Sequence, residues 1–65
     1  MVRYRCILIG APDRTATMEF DSNTDSDAVA AGRRLLAEHA QHEAFELWRG
    51  SRRIHAELRA IAGRH

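Results

Sequence analysis

Sixty-five residues with ten arginines, no lysine, nine acids and a formal net charge of +1 leave no strong electrostatic footprint for nucleic acid, and the single cysteine, Cys6, excludes an intramolecular disulfide. A chain this short buries only about 60% of the surface it exposes when unfolded, so its core is marginal and association is the expected reinforcement. The only apolar run, residues 6–9, is too short for a secretory segment or a membrane span, which with the lone thiol predicts a soluble cytoplasmic protein with no membrane partner.

Residues 2–9 carry apolar side chains on both parities, Val2, Tyr4, Cys6 and Leu8 on one and Ile7 and Ile9 on the other, which predicts a strand inside the sheet. Pro12 and Asp13 then suit a turn spanning residues 10–14. Residues 15–21 alternate, with Ala16, Met18 and Phe20 against Thr15, Thr17, Glu19 and Asp21, as a half-buried strand does. Setting Tyr4, Cys6 and Leu8 beside Phe20, Met18 and Ala16 keeps one face apolar, although a loop of this length leaves the register open by a residue or two.

Thr24, with Asp27 three residues on, approximates a capping box, and the surrounding acids complement the positive end of a helix dipole. Beyond it Ala28, Ala31, Gly32, Leu35, Leu36 and His39 recur at helical spacing, while Arg33, Arg34, Glu38 and Gln41 point away. The small residues at 28, 31 and 32 predict a close approach of helix to sheet.

Residues 45–58 alternate on both sides of Gly50-Ser51, and a two-residue loop with Gly first suits a type II′ turn. The simplest register pairs Arg49 with Arg52, Trp48 with Arg53, Leu47 with Ile54, Glu46 with His55 and Phe45 with Ala56. The order β-β-α-β-β, with a right-handed crossover around a central first strand, predicts an α+β fold: a four-stranded antiparallel sheet of order 2-1-3-4 with one helix on one face. Residues 1–58 form the single domain and 59–65 a loosely ordered tail. Tyr4, Leu8, Met18, Phe20, Leu35, Leu36, Phe45, Leu47 and Ile54 are the expected core.

One helix covers one face, so the other carries Arg3, Arg5, Ile7, Ile9, Thr15, Thr17, Glu19, Glu46, Trp48, Arg53, His55 and Glu57. An apolar patch of Ile7, Ile9 and Trp48 among polar residues reads as an interface, and Arg3, Arg5, Ile7, Ile9, Thr17, Trp48, Arg53 and His55 are its candidate residues. The plain alternative is a monomer in which Trp48 stacks on Arg53. A homodimer through this face is the first expectation, an unknown protein partner the second. A single ring among arginines also resembles a platform for single-stranded RNA or DNA, but Glu19, Glu46 and Glu57 lie beside the arginines, which makes nucleic acid the less favoured partner.

His39, His42 and Cys6 invite a metal site, yet Cys6 is expected beneath the helix and the histidines suit a helix end, so neither metal nor cofactor is assigned. A thiol packed in that core is a structural residue rather than a nucleophile. Glu46 opposite His55 reads as a cross-strand ion pair rather than an acid/base couple. With no phosphate loop, nucleophile elbow or paired cysteines, no catalytic residue is assigned and the chain is read as non-enzymatic.

The Arg-Tyr-Arg start, the Ala-Arg-Arg-Leu-Leu helix run and the Glu-Leu-Trp-x-Gly-x-Arg stretch from Glu46 to Arg52 resemble small bacterial ββαββ proteins of unknown function. Such a resemblance implies the fold and carries over no functional residue.

Overall fold

The computed structural model describes residues 1–10, 14–39 and 41–59. Its elements are β1 (Val2–Gly10), β2 (Arg14–Ser22), α1 (Asp25–Glu38), β3 (Ala44–Arg49) and β4 (Arg52–Leu58). The strands form one antiparallel sheet in the order β2-β1-β3-β4, with the helix on one face. This is the topology that the alternation predicts. The Pro12 turn falls outside the described residues, and so does the tail from residue 60.

β1 sits in the middle because it is apolar on both faces. Tyr4, Cys6 and Leu8 are fully buried under α1, and they pair with Phe20, Met18 and Ala16 as the face matching requires. Phe45 and Leu47 from β3 complete the floor of the core, with Ala28, Gly32 and Leu36 buried from the helix and Val2, Val29, Leu35 and Ile54 packed around the margin. Gly32 is what lets the helix descend: a Cβ there would lie 2.6 Å from Cε2 of Phe45. The helix accepts the ~1 kcal/mol propensity cost of a central glycine in exchange for that ring contact.

Thr24 caps the helix, its hydroxyl oxygen accepting from the Asp27 amide at 3.0 Å. Asp25 then ties the first turn to the sheet, accepting from the Tyr4 hydroxyl at 2.6 Å and from Arg49 at 3.0 Å. The bond to Asp25, with burial adding to it, raises the Tyr4 phenol above its usual value. At the other end Arg59 donates to the carbonyls of Leu36, His39 and His42, closing the helix C-terminus from beyond the last strand. The 41–43 connection lies tight against the end of β1, where a Cβ on Gly10 would come within 2.6 Å of the Gln41 carbonyl.

The second hairpin turns at Gly50 with φ +63°, while Ser51 keeps a negative φ, the φ pattern of a type II′ turn. Arg49 pairs with Arg52 and Trp48 with Arg53, as the alternation predicts. The ladder then slips. Leu47 pairs with His55, Glu46 with Ala56, Phe45 with Glu57 and Ala44 with Leu58, so Ile54 is an extra residue in a β-bulge. The expected pairings of Leu47 with Ile54, Glu46 with His55 and Phe45 with Ala56 are therefore corrected, and every side chain of β4 past Ile54 changes face relative to the simple register.

Candidate interaction face

In an antiparallel sheet directly paired residues share a face, so the registers define what the helix-free side presents. Thr15, Ile9, Ala44 and Leu58 form one row across the four strands, and Thr17, Ile7, Glu46 and Ala56 the next. Glu19, Arg5, Trp48 and Arg53 form the third, and Asp21 and Arg3 lie beyond it.

The candidate residues Arg3, Arg5, Ile7, Ile9, Thr17, Trp48 and Arg53 thus come together on this face. His55 does not. The bulge turns it to the helix side, where its ring lies 5.8 Å from that of Phe45 and its Nε2 is 2.8 Å from Oε1 of Glu57. Glu57, also expected on the open side, turns the same way and accepts from Nε of Arg33 at 2.9 and 3.0 Å. The Arg33 guanidinium, helped by His55, holds the Glu57 carboxyl down at about 2, and Arg33 is raised in return. Alternation along β4 gives no hint of this network, because its cation comes from the helix.

The exchange of side chains across β4 redraws the apolar patch. Ala56 and Leu58 replace His55 and Glu57 on the open face, and with Ile7, Ile9 and Ala44 they make a strip along one end of it. Leu58 is 77% exposed, and Ile9, Ala44, Ala56 and Leu58 border a shallow hollow of about 250 Å³. The simple register hides Ala56 and Leu58 from a sequence reading. A bulge is the one signal that finds them.

The opposite end is polar and largely satisfied within the chain. Arg3 bonds Asp21 at 2.7 Å and Glu19 at 3.1 Å, and Arg53 reaches Glu46 at 3.4 Å. The Asp21 bond, reinforced by Glu19, raises Arg3. Trp48 donates its indole N–H to Glu46 at 3.2 Å, and Arg5, rather than Arg53, lies over its ring, 5.5 Å from the centroid. These ion pairs are solvent-exposed and position side chains more than they stabilise the fold.

The remaining candidates lie apart from this face. Cys6 is fully buried and burial pushes its thiol up to about 11, which leaves essentially no thiolate at neutral pH. The His39 and His42 rings are 6.2 Å apart at the helix end, with Nδ1 of His39 2.7 Å from the Leu35 carbonyl oxygen and Nδ1 of the buried His42 unpartnered. Among the described residues no group of three or more His, Cys, Asp or Glu side chains is placed to hold a metal, and no helix is long and apolar enough to cross a membrane. Comparison with protein-family models, with curated proteins and with solved structures yields no match for this chain.

Proposed function

We propose that this chain is a small non-enzymatic interaction module that homodimerises in the cytoplasm through the helix-free face of its sheet. The observation that supports the reading is the strip of Ile7, Ile9, Ala44, Ala56 and the largely exposed Leu58. An apolar surface of this kind, interrupted only by Glu46 between Ile7 and Ala56, favours on so small a domain a partner that removes it from water. A second copy is the simplest such partner, since a two-fold axis through the strip sets the row of Ile9, Ala44 and Leu58 against its own counterpart. The charged end accommodates the pairing, because its acids Glu19, Asp21 and Glu46 are already matched by Arg3 and Arg53 within each copy.

Single-stranded nucleic acid is the weaker reading. Arg3 and Arg53 are engaged by carboxylates, and Arg5 over Trp48 is the feature that supports a stacking platform. Sedimentation equilibrium decides the first reading: the expected result is concentration-dependent association through the open face that Leu58→Arg weakens strongly and Trp48→Ala less, with far-UV circular dichroism unchanged. A 7.4 kDa species persisting at high concentration overturns it. Retention of single-stranded RNA in a low-salt gel shift, lost steeply as salt rises, would favour the alternative.

A further inference from the structure

The two outer strands of the sheet are guarded very differently. β4 carries the bulge at Ile54 and adjacent exposed arginines, Arg52 and Arg53, both of which discourage another strand from docking along it. β2 carries no bulge, and its exposed charged residues, Arg14, Glu19 and Asp21, are each flanked by uncharged ones within the strand. It pairs with β1 at every position from Arg14 to Ser22, without a bulge or a proline, and among the described residues its outer backbone edge faces no other strand. Its acids Glu19 and Asp21 are engaged by Arg3 on the inner strand. On the helix side Ala16, Met18 and Phe20 are only half-buried, as residues of an outer strand packed against the margin of the core.

We propose that β2 is a second self-association surface, on which β2 of another copy adds antiparallel and extends the sheet across a two-fold axis at Met18. The register follows from the sequence. Strands related by an axis perpendicular to the sheet pair only residues of like parity, and centring on Met18 uses the whole strand. Arg14 then faces Ser22, Thr15 faces Asp21, Ala16 faces Phe20, Thr17 faces Glu19 and Met18 faces itself. The apolar row on the helix side continues unbroken into the second copy, and no like charges stand opposite each other. Centring one residue on, at Glu19, sets two carboxylates face to face. This surface is independent of the open-face strip, which lies toward β3 and β4.

Amide hydrogen exchange of the full chain, followed by NMR at dilute and high concentration, tests it. Alternate amides of an outer strand point away from its neighbour and exchange freely in a monomer. The expected result is that the outward amides of β2 slow by about tenfold or more on concentration while those of β4 do not. Leu58→Arg, which strikes the open face alone, should keep that protection, and Met18→Lys should remove it. Outward β2 amides that exchange equally fast at both concentrations overturn the proposal, whatever the open face does. Protection that vanishes in Leu58→Arg overturns it too, by showing that face packing alone shields the strand.

Discussion

β1 and β2 pair residue for residue from Gly10 with Arg14 to Val2 with Ser22, whereas β3 and β4, joined by Gly50 and Ser51 alone, break step after two pairs. A tight turn therefore governs only the pairs next to it. What governs the rest is burial: the three fully buried residues of β1 must lie over Ala16, Met18 and Phe20, and any slip by one residue would turn that set to the open face. In the second hairpin the bulge keeps Ile54 against the core while carrying Glu57 to Arg33. A short loop fixes the start of a hairpin, and the contacts its strands make with the rest of the molecule fix its end.

The largest effect that sharpens this contrast is expected at Leu8. Its side chain is fully buried at the centre of the first hairpin, so Leu8→Ala should cost about 2–5 kcal/mol in urea denaturation, enough to unfold much of so small a domain at room temperature. Gly50→Ala should cost less, about 1 kcal/mol, by forcing a Cβ into a positive φ while nothing lies within 4 Å to clash with it. Comparable losses in the two variants would break the comparison, since the turn would then be holding the second hairpin as firmly as the core holds the first.

The smallest effect belongs to Glu57 and is read in acid. Its folded-state carboxyl, at about 2, lies below the ordinary 4.5, so its contribution is fully present above the ordinary value and is lost as pH falls through about 2. Between those limits the thermal midpoint of the wild type should fall more steeply than that of Glu57→Gln. Parallel profiles would show that Glu57 does not meet Arg33 in solution.

Strand order, the Thr24 cap, the close approach at Gly32 and the turn at Gly50 are all legible in the sequence, because each rests on a local pattern or on the matching of one face to another. The bulge is not. Residues 52–58 alternate cleanly in the simple register, and the bulge instead sets Glu57 against Arg33, 24 residues earlier in the chain and on another element. That single slip carries His55 out of the candidate face and Ala56 and Leu58 into it, so the polar half of the site is readable and its apolar half only in part. Arg59 is hidden for a related reason: its acceptors are main-chain carbonyls, which no side-chain pattern reveals.

The grip of Arg59 on the carbonyls of Leu36, His39 and His42 makes the residue that follows β4 answerable for the end of the helix. Peeling β4 from the sheet withdraws that guanidinium and uncaps the last helical turn in the same stroke, so fraying of the last strand is felt at mid-chain. The outermost ribbon and the last helical turn are thereby coupled, each holding the other in place.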